Sequence, residues 1–213
     1  MASPIRRAWV LHSGRMTSRE RLGVFGGTFD PPHIGHFSSA VNALQALSLD
    51  EVLLVVSNSP WQKVGTRFVS PVEDRFAMVV AGAVGHAGLT PSRLEIDRGG
   101  ESNTVETLLE LQARRPQAEL FLLLGSDAAA GLATWRRHEE LPALAAFAIL
   151  RRPGSGEVTL PWPARVHHVD VPGLDISSTE LRRRIRAHER VDYLLPDGVA
   201  RIVERRLLYR GES

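Results

Sequence analysis

Residues 23–36 read Gly-Val-Phe-Gly-Gly-Thr-Phe-Asp-Pro-Pro-His-Ile-Gly-His, and this stretch decides both the fold and the chemistry expected of the chain. The apolar run Leu22–Phe25 leads into two glycines, and an Asp-Pro-Pro turn and two histidines follow. Gly26 and Gly27 allow a positive φ and a close approach of the backbone to a ligand. The prolines fix φ just before a helix that begins around Ile34. The pattern predicts a strand, a tight turn and a helix N-terminus that faces a ligand.

The two histidines of this stretch indicate an anion site. His33 and His36 fall on one face of the first helical turn, beside unpaired backbone N–H groups and the positive end of the helix dipole. A polyphosphate would be stabilised there. A histidine pair taken alone is more often solvated or structural, so the interpretation rests on the order of strand, glycines and histidines. The stretch is neither a Walker A loop nor the Gly-x-Gly-x-x-Gly fingerprint, which implies a different phosphate chemistry.

Two segments carry a family resemblance. Gly26–His36 resembles the nucleotidyltransferase motif of the His-x-x-His adenylyltransferase superfamily. Ile176-Ser177-Ser178-Thr179-Glu180-Leu181-Arg182 is similar to the Ile-Ser-Ser-Thr-x-x-Arg motif that the superfamily carries near its C-terminus. Two motifs in family order are far harder to produce by chance than one. Within the superfamily, the chain most resembles the bacterial nicotinate mononucleotide adenylyltransferases, over about residues 21–210.

Composition is that of a globular chain with one substantial core. The chain has 213 residues, 43% of them hydrophobic, and a net charge of +2, and no apolar run is long enough for a bilayer. The absence of cysteine excludes disulfides and thiolate sites and fits a cytoplasmic protein. Most arginines are interspersed with acids, which favours local anion sites over a nucleic-acid groove. We expect no nucleic-acid or membrane partner, and a homo-oligomer stays open.

The N-terminal segment differs from the rest of the chain. Residues 1–20 carry four arginines and no long apolar stretch, so they lack the hydrophobic centre of a secretory signal. We expect residues 1–20 to be a flexible tail and residues 21–213 to form a single nucleotidyltransferase domain. Met16 lies shortly before the first predicted strand, so translation from Met16 is a hypothesis, which the intact mass of the natively expressed protein would test.

Short apolar runs alternate with segments of helical periodicity. The predicted strands are Leu22–Phe25, Glu51–Ser57, Leu94–Ile96, Leu120–Leu124, Phe147–Leu150 and Val166–Val169. The predicted helices are Gly35–Leu47, Pro71–Val84, Thr104–Arg114, Trp135–Leu144, Ser178–His188 and Pro196–Arg206. This alternation predicts an α/β fold: a Rossmann-like doubly wound parallel sheet with helices on both faces and two C-terminal helices. Ligands would bind at the carboxyl ends of the strands.

Nucleotidyl transfer makes defined demands on such a site. A phosphate oxygen approaches the α-phosphorus of a triphosphate in line while pyrophosphate leaves, so the protein mainly positions anions and neutralises charge. No protein nucleophile is needed. The candidate catalytic donors are His33, His36, Lys63 and Arg182, with the N–H groups at the start of the Ser178 helix. Mg²⁺ would bridge the phosphate oxygens of ATP.

The resemblance implies further contacts with ATP. The expected residues are Gly26, Gly27, Thr28, Phe29, Gly125, Asp127, Arg152, Ile176, Ser177, Ser178 and Thr179. Asp127 could equally cap the helix after its strand, and helix capping is also an alternative for the hydroxyl residues of the late motif. Capping and phosphate binding are compatible because both use the same helix end. Lys63 matches the phosphate-binding lysine of the family, although Gln62 stands where the family usually has histidine.

The resemblance also implies an acceptor site formed by Asn103, Thr104, Trp135 and Arg136. Trp135 matches the tryptophan that stacks on the pyridine ring, whereas its residue type alone more often indicates partly buried packing. Asn103 replaces a tyrosine of the relatives, and Arg136 replaces an aromatic residue. Both departures concern the acceptor rather than the triphosphate. We also hypothesise that Arg98 and Arg136 favour an acceptor carboxylate over an amide.

The resemblance therefore predicts transfer of the adenylyl group of ATP to nicotinate mononucleotide, giving nicotinate adenine dinucleotide and pyrophosphate in NAD biosynthesis. The expected partners are small molecules, ATP and a pyridine mononucleotide. One alternative is another mononucleotide or phosphate ester as acceptor, or another triphosphate such as CTP. A second alternative is a non-catalytic nucleotide-binding sensor, although binding alone would not require the full set of candidate donors.

Overall fold

A computed structural model describes residues 19–59, 69–156 and 158–210. The strands are β1 (Arg21–Gly27), β2 (Glu51–Val56), β3 (Leu89–Ser92), β4 (Glu119–Gly125), β5 (Ala146–Arg151) and β6 (Val166–Asp170). The α-helices are α1 (Ile34–Ala46), α2 (Val72–Ala83), α3 (Leu94–Arg98), α4 (Thr104–Arg114), α5 (Ser126–Ala130), α6 (Leu141–Leu144), α7 (Ser178–Arg186) and α8 (Asp197–Arg205). Two 3₁₀ helices, Leu132–Thr134 and His138–Glu140, lie between α5 and α6. Within these three ranges, no helix is long and apolar enough to cross a membrane.

The six strands form one parallel sheet in the order β3-β2-β1-β4-β5-β6. The chain moves outward from β1 through β2 and β3, and then returns to the other side of β1 to add β4, β5 and β6. The reversal lies between β1 and β4, where the carboxyl ends of the strands leave a crevice for ligands. The predicted doubly wound parallel sheet is confirmed.

Helices cover both faces of the sheet, which explains why the central strands are apolar almost throughout. On one face, α1 packs Phe37, Ala40 and Ala43 against the sheet, next to α2. On the other face, α4 contributes Val105 and Leu108, and α3 and α6 complete the layer. A third apolar cluster joins α7 and α8 to α2. The predicted C-terminal helices therefore close the fold over one face.

The predicted strand Leu94–Ile96 is wrong. This segment is the short helix α3, and the strand of this region is β3, just before it. β3 contains Pro91, which discourages a strand assignment because proline lacks a backbone N–H. The sheet accepts it because β3 is an edge strand, which among the described strands pairs only with β2. The apolar alternation of Leu94 and Ile96 reflects packing of one helical turn on the core.

The predicted helix Trp135–Leu144 is correct only in its last turn. Trp135 has an extended backbone, and Arg137 has a φ of 57°, which interrupts any helix. The chain then forms the 3₁₀ helix and α6. The apolar spacing of the segment hid this break, because a left-handed residue leaves no mark on hydrophobic periodicity. The short helix α5 was not predicted.

Candidate active site

Two cavities border the carboxyl ends of the central strands. The first, called here the histidine cavity, has a volume of about 60 Å³ and is lined by His33, His36, Gly125 and Arg152, among others. The second, the tryptophan cavity, has a volume of about 220 Å³, and its lining includes Gly26, Glu95, Asn103, Thr104, Trp135 and Arg136. Val24 lines the tryptophan cavity and Phe25 the histidine cavity, because successive strand residues point to opposite faces. The end of β1 therefore separates the cavities.

The glycines at the end of β1 do not use a positive φ, contrary to the prediction for Gly26 and Gly27. The left-handed residue of the turn is Phe29, with a φ of 51°. A Cβ at Gly27 would lie 2.8 Å from the Phe29 ring, whereas one at Gly26 would meet no described atom within 4 Å. Gly27 therefore permits tight packing of the turn, and Gly26 leaves the backbone open towards the tryptophan cavity.

The structure brings the two histidines together at the N-terminus of α1. Their ring centroids lie 3.8 Å apart. The backbone N–H of His33 donates to Nδ1 of His36 over 3.2 Å. Nδ1 of His36 is therefore the acceptor nitrogen, so the neutral ring carries its hydrogen on Nε2. His36 consequently presents an N–H donor from the ring edge that faces away from the backbone.

His33 is a neutral, buried imidazole. Only 4% of its surface is exposed. Burial foremost, together with the positive charge of Arg152, lowers its pKa to about 4. Nδ1 of His33 is buried, and the side chains of His33 and His36 form a capping box at the start of α1. At neutral pH the ring therefore carries no charge of its own.

The late motif docks onto the turn that precedes the histidines. Ser177 caps α7, because its Oγ accepts a hydrogen bond from the Glu180 N–H over 3.2 Å, so the capping alternative is correct for this serine. The Ser178 hydroxyl donates to the Pro31 carbonyl over 2.8 Å. Ile176 packs against the apolar cluster of α7 and α8. The two family-like motifs are therefore in direct contact.

Arg182 strengthens the same contact. Its side chain is only 5% exposed, and it donates to the Asp30 carbonyl over 2.7 Å and to the Thr179 hydroxyl over 3.2 Å. Arg152 lines the histidine cavity, whereas Arg182 is not among its lining residues and binds the backbone of the turn at Asp30. Arg182 and the histidines therefore converge on one turn of backbone.

Other predicted ATP contacts occupy several environments. Gly125 lines the histidine cavity and caps α5. Asp127 lies in the first turn of α5 and is exposed, so the capping alternative is wrong for it. Thr28 lines the tryptophan cavity instead. Phe29 is 3% exposed and packs edge-on against His36, with 5.1 Å between the ring centroids. Lys63 lies outside the described residues.

The predicted acceptor residues all line the tryptophan cavity. Asn103 also has a local role, because its Oδ1 accepts a hydrogen bond from the Val105 N–H over 3.0 Å and caps α4. Thr104 is the first residue of that helix, and Trp135 is half-buried across the cavity. Arg136 is exposed and forms an ion pair with Glu101. The asparagine that departs from the family pattern is therefore a helix cap here.

Arg98 does not reach the tryptophan cavity. Its guanidinium donates to Glu110 over 3.2 Å and to the Thr107 hydroxyl over 3.1 Å. The lining of the cavity includes Thr107 and Glu95 but not Arg98. The hypothesis that Arg98 and Arg136 together select a carboxylate therefore rests on Arg136 alone, and Arg136 already pairs with Glu101.

The sequence interpretation missed Arg75, a buried arginine that supports the tryptophan cavity. Arg75 is 1% exposed, and burial foremost lowers its pKa. Its donors bond the carbonyls of Thr28 (2.9 Å), Ser57 (2.7 Å), Asn58 (3.0 Å) and Ser70 (3.0 Å). These carbonyls lie just beyond β1 and β2 and before α2. The available signal was its position on the apolar stripe of α2, three residues before Met78 and four before Val79.

Glu95 was missed as well, because its segment was assigned to a strand. It lies in α3, is 6% exposed and lines the tryptophan cavity. As for metal binding, the described residues contain no cluster of three or more histidine or acidic side chains that could hold an ion. The donors at the histidine cavity are imidazole, guanidinium and backbone groups, which suit phosphate oxygens rather than a cation.

Comparison with known proteins gives consistent matches. The sequence model described as cytidylyltransferase-like matches residues 24–184. A Corynebacterium kroppenstedtii protein named probable nicotinate-nucleotide adenylyltransferase is 45% identical, over 91% of this chain and 92% of its own length. A Streptomyces coelicolor protein of the same name is 46% identical, over 88% and 100%.

Solved structures with the same fold are more distant in sequence. The Plasmodium falciparum nicotinic acid mononucleotide adenylyltransferase complexed with NaAD superimposes with a TM-score of 0.71 and 19% identity. The superposition covers 89% of this chain and 97% of that one. A Vibrio parahaemolyticus structure titled putative nicotinate-nucleotide adenylyltransferase gives 0.66 and 20%, over 91% and 97%. These structures support the fold described above.

Proposed function

The chain belongs to the cytidylyltransferase-like family and, within it, to the nicotinate-nucleotide adenylyltransferases, and we propose that it joins ATP to nicotinate mononucleotide. The products are nicotinate adenine dinucleotide and pyrophosphate, in the biosynthesis of NAD. Relatives with this name match nearly the whole chain at 45–46% identity, so the activity is taken for the chain as a whole rather than for a fragment of it.

One observation carries the proposal: two cavities of different chemistry meet at the end of β1. The histidine cavity offers neutral and cationic donors, which suits the triphosphate of ATP. The tryptophan cavity offers an indole face and helix-start hydroxyl and backbone groups, which suits a pyridine nucleotide. Transfer needs the two phosphates side by side. Among the described residues, strand ends separate the cavities, and that of β1 has no side chains at Gly26 and Gly27.

The chain's own residues account for the transfer without a covalent intermediate. An oxygen of the acceptor phosphate forms a bond to the α-phosphorus of ATP, and the bond from that phosphorus to the β-phosphate bridging oxygen breaks. Negative charge accumulates on the leaving pyrophosphate. Nε2–H of His36 donates to a phosphate oxygen as this charge develops, and Arg152 contributes a positive charge beside it. His33, neutral and buried, binds phosphate without repelling Arg152.

Arg182 and Ser178 act as positioning residues in this mechanism. Each donates to a backbone carbonyl of the Asp30–Pro31 turn, so the turn is held against the N-terminus of α7. Because this turn directly precedes α1, it fixes the start of the helix and the positions of His33 and His36. Lys63 stays a predicted phosphate donor from the family resemblance.

The proposed reaction includes Mg²⁺ as an ion that ATP carries on its phosphates. Mg²⁺ neutralises triphosphate charge when bound, and the described residues provide no acidic cluster for a protein-held ion. We therefore assign it to the ATP phosphates and derive no step through it. The single nucleotidyltransferase domain, the cytoplasmic location and a homo-oligomer stay predictions.

The test is an acceptor screen with release of pyrophosphate as the signal. Purified chain, Mg²⁺ and ATP are combined with nicotinate mononucleotide, its amide or another phosphate ester, and CTP replaces ATP in a parallel series. The expected result is release with ATP and the acid, at a higher kcat/KM than with the amide. Release only with another acceptor or with CTP would move the chain to another branch of the family, and no release with any acceptor would favour a sensor.

A further inference from the structure

The tryptophan cavity contains a carboxylate oxygen that nothing in the described chain satisfies. Glu95 is 6% exposed and lines the cavity from α3. Its Oε1 accepts a hydrogen bond from the Thr107 hydroxyl over 2.7 Å, whereas Oε2 has no partner among the described residues. A buried acceptor of this kind is costly in the free protein, which points to a donor that arrives with a ligand.

The neighbours of Glu95 fix which oxygen is available. The Thr107 hydroxyl accepts from Arg98 over 3.1 Å, and its single proton goes to Glu95 rather than to the Asn103 carbonyl at 3.1 Å. Arg98 itself lies 3.9 Å from Oε1 and donates to Glu110. The Thr107 hydroxyl therefore holds the carboxylate by Oε1, and Oε2 stays without a donor among the described residues.

The chemistry of the acceptor limits what this oxygen can bind, and this step rests on the proposed function. Nicotinate mononucleotide carries an ionised carboxylate and a phosphate that is mostly doubly ionised near pH 7. Neither group donates a hydrogen bond in that form, and both repel a buried carboxylate. The two ribose hydroxyls are then the only O–H or N–H donors of the acceptor, and carboxylates bind ribose hydroxyls in other nucleotide sites.

We propose that Glu95 is a specificity-determining residue that accepts a hydrogen bond from a ribose hydroxyl of the mononucleotide through Oε2. This contact selects a ribonucleotide over a deoxyribonucleotide. It also directs the pyridine carboxylate away from Glu95, towards the start of α4 at Thr104.

The test compares nicotinate mononucleotide with its 2′-deoxy and 3′-deoxy analogues in the full chain with ATP and Mg²⁺. For the wild type, we expect kcat/KM to fall about 10- to 100-fold for one analogue, as for a lost hydrogen bond to a charged group. Glu95→Gln keeps the side-chain shape and removes the charge. It should lower kcat/KM for the ribonucleotide and reduce the discrimination to about threefold or less.

Glu110→Gln is the matched control, since Glu110 belongs to the same network and pairs with Arg98 outside the cavity lining. It should leave the discrimination unchanged. A purely structural role of Glu95 predicts a lower Tm for Glu95→Gln and equal losses with all acceptors and ATP. We expect a Tm at or above that of the wild type, because a buried charge is removed.

The outcomes separate the inference from the proposed function. If the wild type releases no pyrophosphate with nicotinate mononucleotide, the function itself fails. If the wild type is active but shows no preference against either analogue, or if Glu95→Gln retains the full preference, only the role of Glu95 fails. A selective loss by Glu95→Gln with the amide mononucleotide would assign Oε2 to the carboxamide N–H, and would also overturn the ribose contact.

Discussion

The histidine cavity and the tryptophan cavity share the end of β1 but are built in different ways. The histidine cavity takes both imidazoles from one short stretch, whose turn is tied to α7 by hydrogen bonds to backbone carbonyls, and Arg152 reaches it from the end of β5. The tryptophan cavity takes side chains from β1, α3, α4 and the segment after α5. Its rim carries an exposed ion pair between Arg136 and Glu101. The two imidazoles of the first cavity are specified locally, whereas the polar groups of the second come from distant segments.

This difference has a functional meaning. Chemistry on the triphosphate depends on donors at fixed positions, and a turn and a helix start fix the two imidazoles. Recognition of the acceptor depends on shape and on a few polar groups from several elements, and such groups can change one at a time. Departures from the family pattern at Asn103 and Arg136 fall in the second cavity, where one of them has become a helix cap.

The largest effect that tests the difference between the two cavities is expected for His36→Ala in the histidine cavity. We expect kcat to fall by about 10²- to 10³-fold with little change in the Kd of the mononucleotide, because the lost N–H acts on charge that develops during transfer. Single-turnover kinetics and equilibrium binding measure the two quantities. His86→Ala, an exposed histidine after α2, is the control and should be unchanged. Equal losses in kcat and in binding would contradict the assignment.

Features that depend on local sequence could be predicted from the sequence, and features that depend on contacts between distant segments could not. The strands of the sheet, α1 and the start of α7 follow from local patterns: an apolar run, a proline-containing turn and a capping serine. Glu95 and Arg75 could not be placed, because their roles depend on long-range contacts with Thr107 and with the Thr28 and Ser57 carbonyls. The positive φ was assigned to the glycines because residue type alone favours them, whereas packing against Gly27 places it at Phe29.

The burial of His33 in the histidine cavity can be tested through pH. The pKa of His33 is about 4 in the folded chain against 6.5 as its ordinary value, so only the unfolded chain takes up this proton as the pH falls below 6.5. The titration of His33 therefore leaves the free energy of unfolding unchanged above pH 6.5 and lowers it progressively between pH 6.5 and about pH 4. The loss amounts to about 3 kcal/mol.

The measurement is the free energy of unfolding of the wild type minus that of His33→Gln between pH 7 and pH 4. Glutamine does not titrate, so the difference should decrease steadily towards acid. Parallel curves for the two proteins would show that His33 titrates as an ordinary exposed histidine, and the burial of this imidazole would then be contradicted.

For the tryptophan cavity, Trp135→Ala should act on binding rather than on the chemical step. Loss of ring stacking costs about 1–3 kcal/mol, which raises the KM of the mononucleotide about 5- to 150-fold and leaves the KM of ATP and kcat near their wild-type values. Trp135→Phe keeps an aromatic face and should recover most of the loss. A fall in kcat without a change in KM would place Trp135 with the catalytic groups and remove the division between the cavities.

The smallest effect is expected at the rim, with Arg136→Ala. Arg136 is exposed, and an exposed ion pair contributes about 0–1 kcal/mol, so its removal should change kcat/KM for nicotinate mononucleotide by about fivefold at most. The preference for the acid over the amide should persist, since Glu101 already neutralises this guanidinium. Glu101→Gln is the matched control, because it frees Arg136 without removing it. If Arg136→Ala abolishes the preference for the acid and Glu101→Gln increases it, then Arg136 binds the acceptor carboxylate. The acceptor would in that case be recognised by one exposed charge rather than by an assembled cavity.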